Sequence, residues 1–237
     1  MGRYENTAAI ITGGTGGLGR DVVALFLNEG TSVCTTYTKK EYLSSVSDLK
    51  EKFGEKLLFA RADVTKPAQM IKVADRTLKT FGRIDLLINI VGGFAMAKIT
   101  ETDEKMWDSM MNMNLKSAYV CSKSVIPQMM KQKYGRIINI GARPALHGAK
   151  NMSAYGASKA GVLNLTQSMA DELSDYNINV NAIIPGTMDT PRNRKDMPKA
   201  DFKKWVKPEE IAEVIAFLCS KDGDKISGAV LPVYGKT

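Results

Sequence analysis

The sequence predicts a doubly wound α/β domain: a mainly parallel, seven-stranded sheet with helices on both faces. Three observations predict it. Short β-branched runs alternate with longer segments of 3.6-residue period from one end of the chain to the other. Runs such as Leu86-Leu87-Ile88-Asn89-Ile90 are apolar on both faces, as central strands beneath two helical layers should be. No linker, low-complexity tract or internal repeat divides the 237 residues, so a single domain over 1–237 is expected.

The elements follow in order. Ala8–Thr12 is the first short run, and Gly17–Glu29 the first helical segment. Ser32–Thr36 then precedes a helix over Lys40–Phe53, and Leu57–Ala62 a helix over Ala68–Phe81. Leu86–Ile90 leads to the longest helical segment, Glu104–Lys133. Ile137–Ile140 is followed by Ala154–Asp175, Asn179–Ile184 by Pro208–Ser220, and Ala229–Val233 closes the series. The two longest segments carry apolar residues on more than one face: Met110, Met113, Leu115, Tyr119 and Val125 on one, Val162, Leu165, Met169 and Leu173 on the other.

Composition narrows the class. A 24% charged and 44% hydrophobic chain is an ordinary globular one, and no apolar run approaches the ~18–20 residues of a bilayer crossing. Met1-Gly2-Arg3-Tyr4-Glu5-Asn6 has no signal-peptide layout, and Asn6 breaks the myristoylation pattern. Cys34, Cys121 and Cys219 are far apart in apolar surroundings and read as buried thiols of a reducing, cytoplasmic compartment. No Cys/His spacing suggests a metal.

The net charge of +8 is concentrated. Between Pro191 and Lys207 stand Arg192, Arg194, Lys195, Lys199, Lys203, Lys204 and Lys207 against Asp196 and Asp201. Pro191 and Pro198 interrupt this stretch, which makes it a poor DNA-reading helix and a better basic flap at about 190–207. A small-molecule substrate is expected, with neither nucleic acid nor membrane as partner.

Thr12-Gly13-Gly14-Thr15-Gly16-Gly17-Leu18-Gly19 lies between the first strand and the first helix. Glycines there let the backbone turn and approach a pyrophosphate, whose charge the helix N-terminus stabilises. This points to a Rossmann-type dinucleotide site. The second strand then exits through Tyr37-Thr38-Lys39-Lys40 with no carboxylate before Glu41. An acid at Tyr37 would bind a ribose 2′-hydroxyl and repel a 2′-phosphate, whereas Thr38 and Lys39 offer a hydroxyl and a charge. NADP(H) is therefore expected over NAD(H), although lacking an acid still permits NAD, and Lys39 and Lys40 also suit a solvated helix start.

Tyr155 and Lys159 are four residues apart on one helical face. An ammonium beside a phenol favours the phenolate, so the Tyr155 pKa is expected below its usual ~10 and the phenol becomes a competent proton donor.

These motifs resemble the short-chain dehydrogenase/reductase family, whose pattern T-G-x-x-x-G-x-G fits Gly13, Gly17 and Gly19. The resemblance covers nearly the whole chain. It implies cofactor contacts from Gly13, Thr15, Gly16, Gly17, Leu18 and Gly19, adenine contacts from Asp63 and Val64, and further contacts from Asn89 and Gly92. It implies that Lys159 holds the nicotinamide ribose, that Asn114 orders a water beside it, and that Pro185, Gly186, Met188 and Thr190 wrap the carboxamide. The family's catalytic serine falls at Ala142, which has no hydroxyl to donate to a developing alkoxide. His147 is a candidate substitute; Ser153 is a poor one, because it faces elsewhere once the helix has begun.

Three patches resemble quinonoid dihydropteridine reductases more closely. Residues 189–205, from Asp189-Thr190-Pro191 to Trp205, are similar to their D-T-P-x-N-R-x-x-M-P-x-A-D-F-x-x-W segment. Gly141-Ala142-Arg143-Pro144-Ala145-Leu146 and Val91-Gly92-Gly93-Phe94-Ala95 resemble two others. That resemblance implies hydride transfer to a conjugated C=N heterocycle, where charge spreads over the ring and Ala142 is no handicap. Phe94 and Trp205 are candidates to flank the flat ring. The leading expectation is thus a dihydropteridine-reductase-like enzyme with Tyr155 as proton donor. The alternatives are reduction of 3-oxoacyl-ACP, 3-oxoacyl-CoA or another carbonyl, and a catalytically vestigial dinucleotide sensor or scaffold. Pairing of the two long helices between subunits, as in the resembling families, implies a homodimer or homotetramer.

Overall fold

Seven strands form one sheet in the order β3-β2-β1-β4-β5-β6-β7, with every neighbouring pair parallel. They are β1 Ala8–Thr12, β2 Ser32–Tyr37, β3 Leu57–Arg61, β4 Leu86–Asn89, β5 Gly135–Ile140, β6 Ile178–Pro185 and β7 Val230–Val233. This is a computed structural model and describes residues 2–236; Met1 of the amino-terminal reading, and Thr237, lie outside the described residues. Chain order reverses between β1 and β4, so their C-terminal ends diverge and open the crevice where such sheets bind ligands.

The helices are α1 Gly17–Asn28, α2 Ser47–Phe53, α3 Pro67–Phe81, α4 Glu104–Met110, α5 Ser117–Gln132, α6 Ser153–Glu172, α7 Pro191–Asp196 and α8 Pro208–Cys219. On one face Val22, Phe26, Ile211 and Ile215 of α1 and α8 pack on Ile11, Val33 and Ile138. On the other, Met70, Val73, Val125 and Met129 of α3 and α5 pack on Ile10, Leu87 and Ile137. All three cysteines are buried and free, and burial raises their thiol pKa values to about 11 or 12.

The structure departs from the sequence expectations at four places. Lys40–Val46 is a 3-10 turn rather than α-helix, because Ser44, Ser45 and Ser47 each donate their hydroxyl to the carbonyl three residues back. The segment 104–133 carries a π-helical insertion at Met111–Lys116. Strand β5 begins at Gly135 rather than Ile137, since Arg136 is buried within it and bonded to Asp224 at 2.5 Å. The flap contains a short helix, α7, capped by the Thr190 hydroxyl accepting from the Asn193 N–H.

The apolar residues of the two long helical segments divide between the core and the surface. Met110, Val125, Val162, Met169 and Leu173 are buried within this chain, and Val125, Met169 and Leu173 sit in the core beneath α3 and α5. Only Met113 and Tyr119 of the apolar residues expected to pair are exposed, because a helix one layer from a parallel sheet spends its apolar stripe on that sheet. No helix among the described residues is long and apolar enough to cross a membrane.

Candidate active site

The glycine loop is held by the second strand. Gly14 N–H donates to Thr35 Oγ1 at 3.0 Å and Gly13 N–H to Thr36 Oγ1 at 3.3 Å. Thr35 Oγ1 itself donates to the Ile11 carbonyl at 2.8 Å, so one hydroxyl ties β1, β2 and the loop. A Cβ on Gly14 would lie 2.1 Å from Thr35 Oγ1, and one on Gly19 would lie 2.1 Å from the Gly13 carbonyl oxygen. These two positions need the close approach only glycine allows. Leu18 and Gly19 are buried, whereas Thr15 is half-buried and Gly16 and Gly17 are exposed at the α1 N-terminus. Free backbone donors and the helix dipole therefore point into the crevice there. Across it stands Thr190, whose Cγ2 would lie 3.0 Å from a Cβ on Gly17. The cradle fits an extended anionic group such as a pyrophosphate.

Tyr37, the last residue of β2, is half-buried, and Thr38 and Lys39 beyond it are exposed. Asp63 is exposed and its Oδ1 accepts from Thr65 N–H and Oγ1, which holds the carboxyl below its ordinary pKa; Val64 is buried behind it. Pro185, Gly186 and Met188 follow β6. Gly186 N–H bonds the Val233 carbonyl at 2.8 Å, and Met188 bridges to Val206.

The catalytic candidates converge at the ends of β4 and β5. Lys159 is buried, with Nζ donating to the Ile140 carbonyl at 2.7 Å. Burial lowers its pKa to about 8. Asn114 sits in the π-helical turn. Its Oδ1 accepts from Gly93 N–H at 2.9 Å, while Nδ2 donates to the Gly93 carbonyl at 3.1 Å and to Ser158 Oγ at 3.0 Å. One amide thus clips the loop after β4 to helix α6, and π turns of this kind recur at functional sites. Gly92 lies under both groups: a Cβ there would come within 2.7 Å of Asn114 Oδ1 and 3.2 Å of Lys159 Nζ. Tyr155, one turn before Lys159, packs edge-on against Phe94.

The pKa expectation for Tyr155 is reversed. Burial pushes the phenol up to about 12, and Lys159 does not offset it because its amine is turned down to the Ile140 carbonyl. The resting phenol keeps its proton. A buried amine and a protonated phenol on one face can together deliver a proton to an oxygen or nitrogen placed above them.

Other candidates are placed differently from expectation. The Asn89 side chain is buried, with Nδ2 on Asn139 Oδ1 at 2.9 Å and on Ser122 Oγ at 3.3 Å, so it braces β4 against β5 and α5. Trp205 is 8% exposed, its ring 4.8 Å from that of Phe202; the indole packs the flap base instead of offering a face to a flat ring. His147 is exposed on the loop after β5 and makes no hydrogen bond among the described residues. Ala142 is buried, extended backbone, and brings no hydroxyl. Ser153 begins α6 and lines an open groove of about 480 Å³ with Gly156, Ala157 and Ala160, helix positions other than those of Tyr155 and Lys159.

Sequence reasoning missed Ser158 and the Ile140 carbonyl. Ser158 adjoins Lys159 and was legible as a polar residue on a mostly apolar turn. A backbone carbonyl leaves no trace in sequence. Among the described residues no group of carboxylate, His and Cys side chains could hold a metal.

Comparison with known proteins adds the following. The pattern described as short chain dehydrogenase matches residues 7–201. A 3-oxoacyl-acyl-carrier-protein reductase, FabG, of Thermotoga maritima is 34% identical, with 98% of each chain covered. The BbsD subunit of a hydroxy(phenyl)methylsuccinyl-CoA dehydrogenase of Thauera aromatica is 33% identical over 98% of this chain and 96% of its own. A crystal structure of a short chain dehydrogenase from Bacillus anthracis superposes with a TM-score of 0.88 at 31% identity, covering 97% of this chain and 95% of the other.

Proposed function

Since this chain belongs to the short chain dehydrogenase family, and is an oxidoreductase, we propose that it reduces a carbonyl on an acyl thioester with NADPH, Tyr155 donating the proton. Thr15, Gly16 and Gly17 with the α1 N-terminus take the pyrophosphate, and Asp63 and Val64 the adenine. Thr38 and Lys39 meet the 2′-phosphate, while Pro185, Gly186, Met188 and Thr190 close over the carboxamide. Bound nicotinamide supplies the hydride.

The chain's own groups do the rest. Lys159, with a pKa near 8, carries a proton at neutral pH and offers its ammonium to ribose hydroxyls. Tyr155, held up near 12, gives that proton only as negative charge develops on the substrate oxygen. Asn114 keeps the loop after β4 at the height that leaves room above both.

The observation carrying the reading is Lys159 buried against Ile140, one turn below a phenol whose ring flanks the crevice. The thioester class is supported by likeness along nearly the whole chain to a 3-oxoacyl reductase and a CoA-thioester dehydrogenase, and by the basic flap. A second reading has one observation in its favour. Ala142 offers no hydroxyl to a localised alkoxide, and a conjugated dihydropterin needs none.

The test is loss of NADPH absorbance with acetoacetyl-CoA and, separately, with freshly oxidised tetrahydropterin. Turnover of the thioester is expected. Turnover of the pterin alone would replace the first reading by the second, and turnover of neither would remove both.

A further inference from the structure

Arg61, on β3, brings a guanidinium to the exit of β2. Side chains alternate along a strand, so Thr35 and Tyr37 leave the same face of the sheet. That face is the one α1 packs on, since Val33 shares its core with Val22 and Phe26, and Thr35 Oγ1 accepts from Gly14 N–H at the turn into α1. Arg61 pairs in register with Tyr37 and so projects from that face as well. Its Nε donates to the Thr38 carbonyl at 3.2 Å, which tethers the guanidinium to the residue at which β2 ends. Among the described residues no carboxylate pairs with it, and its terminal nitrogens have no hydrogen-bond partner.

The neighbouring charge is less available. Lys39 Nζ lies 3.6 Å from Glu41 Oε1 and 5.9 Å from the centre of the Tyr42 ring. The loop Thr15-Gly16-Gly17 carries no basic side chain. A guanidinium with one nitrogen tethered and two free presents the fork that matches phosphate oxygens, beside the strand end where the ribose 2′ position falls.

We propose that Arg61 is the residue that selects a 2′-phosphorylated dinucleotide, with Lys39 as its second charge. This rests on the reading of the crevice as an NADPH site.

The test is binding by calorimetry, without turnover, of adenosine 2′,5′-bisphosphate and of 5′-AMP to the wild type, Arg61→Gln and Arg61→Lys. The wild type is expected to bind the bisphosphate more tightly. Arg61→Gln should weaken the bisphosphate by about tenfold or more and leave 5′-AMP unchanged, which also reports an intact fold. Arg61→Lys, keeping charge without the fork, should fall between. A wild type indifferent to the 2′-phosphate would overturn the NADPH reading and this inference with it. A wild type that prefers the bisphosphate, with Arg61→Gln keeping the full preference, would overturn the role of Arg61 alone. Equal weakening of both ligands would make Arg61 a structural residue and overturn the proposal.

Discussion

Phe94 stands edge-on to Tyr155, with ring centroids 4.9 Å apart and planes at 87°. Phe94 is 57% exposed, so it walls the open side of the crevice and holds the phenol ring by an aromatic edge.

Tyr155→Phe keeps that ring contact and removes only the hydroxyl. Turnover should fall by about 10²-fold or more, with NADPH affinity within a few-fold of wild type by fluorescence titration. Unchanged turnover would exclude Tyr155 as proton donor.

Lys159 gives a pH signature. Its pKa is about 8 in the folded chain and 10.5 for the ordinary group. Between those values the unfolded chain holds a proton that the folded chain has released, so stability rises with pH across the window; below about 8 the folded state bears the full burial cost. Lys159→Met should raise the urea midpoint at about pH 7 and flatten its rise toward about pH 9.5. Wild-type kcat/KM should fall as pH passes through about 8 and the ammonium is lost. An identical stability slope in wild type and variant would contradict this.

Ala142→Ser restores a donor beside the reacting oxygen. Such a donor is worth about 10²–10³ in kcat where an alkoxide localises, so acetoacetyl-CoA reduction should rise by tenfold or more while dihydropterin reduction stays within a few-fold. A large gain on the pterin would show that its reduction also lacks the hydroxyl.

Gly92→Ala puts a methyl 2.7 Å from Asn114 Oδ1 and 3.2 Å from Lys159 Nζ. The expected result is about 1–3 kcal/mol of destabilisation, and turnover lowered by roughly ten- to a hundredfold as the clip to Gly93 shifts. Thermal unfolding and steady-state rates measure the two effects; a variant matching wild type in both would show that Asn114 yields at no cost.

Tyr37→Asp places a carboxylate at the end of β2, where it repels a 2′-phosphate and accepts from a 2′-hydroxyl. The ratio of kcat/KM for NADPH to that for NADH should fall by at least tenfold. A constant ratio would contradict the cofactor assignment.

The fold was legible because each strand is a short apolar run with a helix after it, and burial on both faces leaves that mark on composition. Strand β1 agrees to the residue, and the others to within two. The glycine loop, Tyr155 and Lys159 were legible through spacing along one loop or helix, and Asn114 only through the family resemblance. Arg136 hid the start of β5, since a charged residue reads as an end until its partner Asp224 arrives from far along the chain. The pterin-like patches at 91–95, 141–146 and 189–205 pointed to a heterocycle, whereas likeness over nearly the whole chain runs to 3-oxoacyl reductases. The longest of those patches packs Trp205 into the flap base, so much of its distinctiveness is the flap's own packing.

The sequence by itself determined the layering, the dinucleotide cradle and the phenol–amine pair, since periodicity and local spacing encode what one element does alone. Only the tertiary structure decided the state of Tyr155, the inward turn of Asn89 and the meeting of Arg61 with Thr38. Each depends on which distant strand or helix supplies the neighbour, and burial and partners, not residue type, set a side chain's charge and direction.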